Sequence, residues 1–228
     1  MRGMILAAGR GERMGALTAE IPKPLIKIAD RYLIEYSISA LKKMGVKEIV
    51  INLCYLGEKI KHALGDGERY GVHFHYSEET DMLGTGGGIL KALPLLGKDP
   101  FVVVSADVIT DFPFHTLSDR LSKNLPALAH VVLVDNPSFH QAGDFSLEGN
   151  RVVRHAVNPF TFASMGIYRP ELFQVLKLDT GCLGQLLLQE AATSASRVTG
   201  EHYQGVWHNV GTPQELARCD VPSLHANF

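Results

Sequence analysis

The sequence predicts an α/β domain built on a mixed, mostly parallel sheet flanked by helices, with a smaller antiparallel part late in the chain. Three observations carry that reading. Residues 4–8 and 101–104 are short unbroken apolar runs, the pattern of strands covered on both faces. Between them, strand-like and helix-like segments alternate, which is the rhythm of right-handed βαβ units. From about Ala129 onward, short strands are instead separated by Pro, Gly and Asn signals, the mark of antiparallel pairing. A chain of 228 residues can bury one sizeable core, and no repeat, linker or low-complexity segment divides it. A single domain over residues 1–228 is therefore expected.

The first strand, residues 4–8, runs directly into Gly9-Arg10-Gly11-Glu12-Arg13-Met14. Leu33, Ile34, Ser37, Ile38 and Leu41 then recur at helical spacing, predicting an amphipathic helix that ends near Gly45. Residues 48–52 form a β-branched run and read as a second strand. Gly57–Leu64 reads as a short helix, and residues 72–77 as a strand with His73 and His75 on one face. Thr85-Gly86-Gly87-Gly88 opens a helical pattern continued by Ile89, Leu90 and Leu93. The run at 101–104 is the fourth strand. Beyond it, strands are expected at Ala129–Val134, 144–147, 151–154 and 162–168, helices at 170–176 and 183–192, and a strand around Val206. Thr212-Pro213-Gln214-Glu215 is a helix start, with a capping threonine, proline at the first position and a glutamate placed to close the capping box. Residues from Pro222 onward read as loosely ordered.

Composition narrows the function classes. Hydrophobic residues make up 46% and charged residues 20%, ordinary for a water-soluble domain. A net charge of −2 gives no electrostatic footprint for nucleic acid, so no nucleic-acid partner is expected. No apolar run is long enough to span a bilayer, so no membrane partner is expected either. Met1-Arg2-Gly3 leads straight into the first strand, leaving no room for a signal peptide. Cys54, Cys182 and Cys219 are far apart and odd in number; they make neither a disulfide framework nor a zinc site and fit a reducing cytoplasm. No H-E-x-x-H, G-x-S-x-G or Ser-His-Asp set points to a hydrolase. Nothing in the composition selects an oligomeric state.

The chemistry concentrates after the first strand. Gly9 and Gly11 let backbone approach a ligand closely and turn N–H groups toward an anion. Arg10 and Arg13 add planar, permanently charged donors for phosphate oxygens. Lys23, held between Pro22 and Pro24, is a third cation on a stiff segment. Together these predict a polyphosphate site. The dinucleotide fingerprint is not completed, because its third glycine position holds Met14, and no G-x-x-x-x-G-K-[ST] occurs. The Gly86–Gly88 run fits either a flat ligand laid on bare backbone or a helix turn that needs tight packing. Asp107 follows the buried strand directly, where open α/β sheets place ligands, although aspartates also end strands as turn residues.

Leu6-Ala7-Ala8-Gly9-Arg10-Gly11-Glu12-Arg13-Met14, followed by Pro22-Lys23-Pro24-Leu25, resembles the signature of the sugar-1-phosphate nucleotidyltransferases, usually L-A-A-G-x-G-x-R-M-x-P-L-T with a later P-K-P-L. Ala16 stands where that family generally has proline. The resemblance implies a Rossmann-like, GT-A-type fold whose residues 1–128 bind nucleotide, 129–211 bind sugar and 212–228 form a C-terminal helix and tail. It implies nucleotide contacts from Leu6, Ala8, Gly9, Gly11, Glu12, Arg13 and Lys23, with Gly86 and Gly87 at the base. It implies sugar contacts from Ser105 and Asp144, a Mg²⁺ cofactor on Asp107 and Asn209, and catalytic roles for Arg13, Lys23 and Asp107. Its substrates would be a nucleoside triphosphate and a sugar 1-phosphate.

Besides Ala16, three further stretches depart from that pattern. Ser105-Ala106-Asp107 replaces the usual N-G-D, and Ser164 stands where a glycine is common. Trp207-His208-Asn209-Val210-Gly211-Thr212 carries an amide in place of the second metal-binding aspartate, and a neutral ligand holds Mg²⁺ less well. Further along, Leu133-Val134-Asp135-Asn136-Pro137, His140, Gly143-Asp144-Phe145 and Gly200-Glu201-His202-Tyr203 look like the subgroup acting with UTP on N-acetylmuramate α-1-phosphate in bacterial cell-wall recycling. A nucleotidyltransferase using dTTP or GTP with a hexose 1-phosphate, or a nucleotide-sugar-binding relative with weak catalysis, remain the alternatives at this point.

Overall fold

The computed structural model describes residues 1–123, 126–154, 159–174, 181–191, 193 and 197–219. The chain begins with β1 (Gly3–Leu6), a small hairpin of β2 (Lys27–Ile28) and β3 (Arg31–Tyr32), and α1 (Leu33–Lys43). It continues through β4 (Glu48–Leu53), α2 (Gly57–Leu64), β5 (His73–Glu78), α3 (Gly84–Leu96), β6 (Phe101–Ser105), β7 (Val108–Thr110) and α4 (Leu117–Lys123). The second half holds β8 (Ala129–Val134), β9 (Ser146–Glu148), β10 (Arg151–Val153), β11 (Thr161–Tyr168), α5 (Glu171–Gln174), α6 (Leu183–Ala191), β12 (Val198–His202), β13 (Trp207–Asn209) and α7 (Pro213–Arg218).

Nine strands form one sheet in the order β5-β4-β1-β6-β11-β8-β12-β10-β9. The first four are mutually parallel. β11 runs antiparallel to both β6 and β8, and β12 is parallel to β8. Side chains alternate across the sheet as strand geometry requires. Met4, Val50 and Val103 pack with α3, α5 and α6, while Ile5, Ile51 and Val104 pack with α1, α2 and α4. Two apolar layers therefore cover the two faces, which is why these strands carry almost no polar residue. The chain moves from β1 to β4 on one side and later returns to β6 on the other. β1 and β6 thus flank the topological switch point, where α/β sheets open a ligand crevice.

The elements expected before residue 105 are present to within a residue or two at their ends, with the β2–β3 hairpin as an unexpected addition. The other differences lie further along the chain. The strand expected around Val206 is β13, which starts one residue later, with Val206 in the connection from β12. β12 escaped notice because Thr199, Gly200 and Glu201 interrupt any apolar alternation; its burial comes from neighbours on both sides, β8 and β10. β7 and α4 were likewise unmarked, being short segments beside stronger signals. Ser164 adopts φ +57° within β11, where the register against β8 shifts between Phe162 and Gly166. A left-handed residue at such a bulge is a conformation that glycine adopts at least cost, which fits the glycine that the resemblance implies there. Thr212 caps α7 through its hydroxyl, but Glu215 accepts from the Gly211 N–H at 2.8 Å instead of the Thr212 N–H. The expected ends of the helices at 170–176 and 183–192 and the tail from Pro222 lie outside the described residues.

Candidate active site

Leu6 and Ser105 are register partners at the carboxyl ends of β1 and β6. The loops that leave these two ends frame a cleft of about 560 Å³. One wall is the stretch Leu6 to Arg13; the other is Ser105, Ala106 and Asp107. Lys23, Pro24, Asn52, Met82, Gly84, Thr85 and Gly211 complete the lining. Gly11 sits at φ +68°, and a Cβ there would come within 3.1 Å of Lys23 Cβ. The glycine is what lets the phosphate-type loop lie directly on the lysine turn.

Lys23 opens a short 3₁₀ turn, Lys23–Leu25, between its two prolines. From that turn its ammonium forms an ion pair with the Asp107 carboxylate, and both side chains are largely buried. Ser105 Oγ donates to the same carboxylate at 2.6 Å, and Asn209 Nδ2 donates to it at 3.3 Å. Antiparallel pairing of β13 with β7 sets Asn209 opposite Val108 and so brings the amide alongside Asp107. The Asp107 carbonyl accepts the Val210 N–H at 2.9 Å, fixing the backbone of both segments. His208, between Trp207 and Asn209 on β13, is held below the ordinary imidazole range by burial.

The remaining cations are exposed on the opposite wall. Arg10 lies over the Tyr55 ring at 5.8 Å, and the Arg13 guanidinium lies beside Gly211, where an added Cβ would meet Nη2 at 2.9 Å. Arg10, Arg13 and Lys23 thus converge from three directions on one cleft.

Leu6, Ala8, Gly9, Gly11, Glu12, Arg13, Lys23, Ser105 and Asp107 all line this cleft, as the sequence led us to expect. Gly86 and Gly87 do not. They are buried in the first turn of α3, with their N–H groups directed at the Gly181 carbonyl at 2.8 and 3.4 Å. Tight packing of that helix turn accounts for them, and Gly84 and Thr85, one step earlier, face the cleft. Asp144 lies apart from the lining. Its carboxylate accepts the Phe162 N–H at 2.8 Å and pairs with His140 Nε2 at 3.0 Å, between the ends of β8 and β11. Sequence reasoning missed Asn52. It is the one polar residue at the carboxyl end of an otherwise apolar run, the same signal that marked Asp107.

Asp107 and Ser105 line the cleft with hard oxygen donors, one of them a carboxylate, whereas Asn209 lies outside the lining and turns its amide nitrogen toward Asp107. Among the described residues, no three His, Cys, Asp or Glu side chains gather as a metal cage. That donor set suits Mg²⁺, which keeps water and substrate phosphate among its ligands and is bound by one or two carboxylates.

The Nucleotidyl transferase family model matches residues 2–221. The chain belongs to that family. A N-acetylmuramate alpha-1-phosphate uridylyltransferase from Neisseria meningitidis is 46% identical over 228 residues, covering 97% of each chain. A mannose-1-phosphate guanyltransferase from Yarrowia lipolytica is 31% identical over 95% of this chain, which spans 62% of that longer relative. Among solved structures, a putative glucose-1-phosphate thymidylyltransferase from Bacillus anthracis superposes with a TM-score of 0.88 at 19% identity, covering 100% of this chain and 97% of that one. A UDP-glucose pyrophosphorylase complexed with UDP-glucose gives 0.77 at 19% identity, covering 99% and 98%. At such identities the structural likeness speaks for the nucleotidyltransferase fold. Among the described residues no helix is long and apolar enough to cross a membrane.

Proposed function

We propose that this nucleotidyltransferase moves the uridylyl group of UTP onto N-acetylmuramic acid α-1-phosphate, giving the nucleotide sugar and pyrophosphate, as a step of cell-wall recycling in the cytoplasm. The observation that carries the reaction class is the facing pair Lys23 and Asp107 at the switch point, with Arg10 and Arg13 across the same cleft. The choice of base and sugar is supported by the uridylyltransferase relative, whose identity extends over nearly the whole chain. Residues 1–128 would serve as the nucleotide half and 129–211 as the sugar half of one catalytic unit, with 212–228 closing it.

In this reading a phosphate oxygen of the sugar phosphate attacks the α-phosphorus in line. The bond from the α-phosphorus to the bridging oxygen breaks, and pyrophosphate leaves with that electron pair. No protein nucleophile is needed; positioning and charge neutralisation supply the catalysis. Backbone N–H groups around Gly9 and Gly11 receive the phosphates, and Glu12 stands beside them on the loop. Arg13 stabilises the departing pyrophosphate, and Lys23 neutralises charge developing on the α-phosphoryl oxygens. Gly84 and Thr85, which line the cleft at the start of α3, would take the base. Ser105 and Asn209 aim the Asp107 carboxylate by hydrogen bonding. Mg²⁺, held by Asp107 with Asn209 beside it, would supply electrostatic stabilisation of phosphate charge. Asp144 positions the sugar side of the site through the Phe162 backbone.

The test is pyrophosphate release by purified protein with UTP, Mg²⁺ and N-acetylmuramic acid α-1-phosphate. Turnover supports the reading. Silence with this pair, but turnover with dTTP or GTP and a hexose 1-phosphate, replaces the substrates while keeping the class. Tight UTP binding without pyrophosphate release under every pairing would favour a binding protein, a reading motivated by the amide at Asn209.

A further inference from the structure

Asn52 and Glu79 are both buried, at 2% and 7% exposure, and together connect two parts of the cleft. Asn52 Oδ1 accepts the Ala7 N–H at 2.9 Å, immediately after β1. Asn52 Nδ2 donates to Glu79 Oε1 at 2.7 Å. Glu79 Oε2 accepts the Leu83 N–H at 3.1 Å, at the N-terminal end of α3. Ala7 lies in the Leu6–Arg13 wall, and Leu83 directly precedes Gly84 and Thr85, which complete the lining; Asn52 itself lines the cleft. Among the described residues no cation is paired with Glu79. Both of its side-chain oxygens are taken up as acceptors at the N-terminal end of α3. Gly88 completes the enclosure, since a Cβ at that position would lie 2.7 Å from both Asn52 Nδ2 and Glu79 Oε1.

The pattern of donors and acceptors is directional. Ala7 and Leu83 each offer an N–H, so the chain between them must present an acceptor at both ends. An amide followed by a carboxylate does this, with the amide nitrogen as the internal donor. We propose that Asn52 and Glu79 are a positioning pair that sets the separation and orientation of the Leu6–Arg13 wall and the start of α3, the two parts of the nucleotide cleft that they join. Neither acts on the reacting atoms. The proposal goes beyond the substrate assignment and rests only on this cleft being the nucleotide site.

Glu79→Gln keeps the shape but leaves one acceptor oxygen for the Asn52 amide and the Leu83 N–H, so donor must face donor at one point of the chain, at Leu83, between the two side chains or, if the Asn52 amide turns over, at Ala7. The expected result is a UTP KM raised about tenfold, with kcat and the KM for the sugar phosphate within about twofold of the native enzyme, a shift equal to about 1.4 kcal/mol of nucleotide binding. Hydrogen exchange should accelerate at Ala7 or Leu83. Combining Asn52→Asp with Glu79→Gln restores an acceptor at both ends with a donor between, and should return that amide to slow exchange. A native UTP KM in folded Glu79→Gln overturns the proposal, as does a double variant whose exchange is no slower than that of the single one. Should Glu79→Gln alone fail to fold, the double variant decides: a folded protein supports the matched pair and an unfolded one overturns it. Failure of the native protein to use UTP would overturn the substrate reading instead. The exchange measurements would then still judge the pair, and KM would be read with the nucleotide that is turned over.

Discussion

The Lys23 ammonium and the Asp107 carboxylate are ion-paired across the floor of the cleft, joining a proline-flanked turn to the end of β6. In the proposed reaction each is the group that the other's ligand would displace: phosphate would compete with Asp107 for the lysine, and a cation with the lysine for Asp107. Their pairing neutralises two charges in a largely buried place.

Replacing Lys23 with Ala should therefore separate catalysis from folding. Turnover should fall by about 10²–10³-fold or more, the size of losing one preorganised charge at a developing anion. Asp107 keeps its bonds from Ser105 and Asn209 and lies at an open cleft, so the expected loss of stability is about 1 kcal/mol, or roughly 2–4 °C in Tm. Steady-state pyrophosphate release and a thermal melt check both. Activity within a few fold of native would remove Lys23 from the mechanism.

Asn209→Asp places a second carboxylate beside Asp107. Without a divalent cation the two like charges repel, and the melt in a chelator should drop below that of the native protein. With Mg²⁺ the order should reverse, and half-saturating Mg²⁺ for turnover should fall by about tenfold. A Mg²⁺ titration of activity, paired with melts in chelator and in Mg²⁺, provides the comparison. An unchanged Mg²⁺ requirement would place the cation away from Asn209.

Much of this site could be read from the chain because its signals are local. Gly9, Gly11, Arg13 and Lys23 lie within fifteen positions of one another, and Asp107 ends an unmistakable apolar strand. Gly86 and Gly87 lie off the cleft lining for a physical reason: glycine marks close approach of backbone to something, and sequence does not say whether that is ligand or protein. Here it is the Gly181 carbonyl. Asn52 and Glu79 were illegible as a pair, since they meet only when β4 lies between β1 and β5. β12 was missed because its burial is a property of its place in the sheet, with Thr199 and Glu201 tied up by His130 and Arg120.

Asp144→Ala should act on the sugar side alone. The side chain holds the Phe162 N–H and orients His140, so its loss frees the loop before β9 from the start of β11. The KM for the sugar phosphate should rise about tenfold while the KM for the nucleotide stays within twofold, because no part of the cleft lining moves with it. Equal increases in both constants would mean that Asp144 supports the fold in general.

Glu201 predicts how stability depends on acid. Its carboxyl is held below the ordinary glutamate value, chiefly by its hydrogen bond with His130, against an opposing push from burial, with further help from the charges of His130 and Arg120. The folded state thus binds the ionised form preferentially. A depressed folded value means that this stabilisation is complete above the unfolded glutamate value and is lost as pH falls through the folded one. Glu201→Gln removes the titration while keeping an acceptor near His130 at 3.2 Å. At neutral pH the variant should melt below the native protein. As pH is lowered from about 5 to about 3, the gap between the two should narrow, because the native glutamate becomes a neutral acid like its replacement. Melts of both proteins across that range decide it. A gap that stays constant with pH would show that the carboxylate charge contributes nothing there, and that the pairing with His130 acts through shape alone.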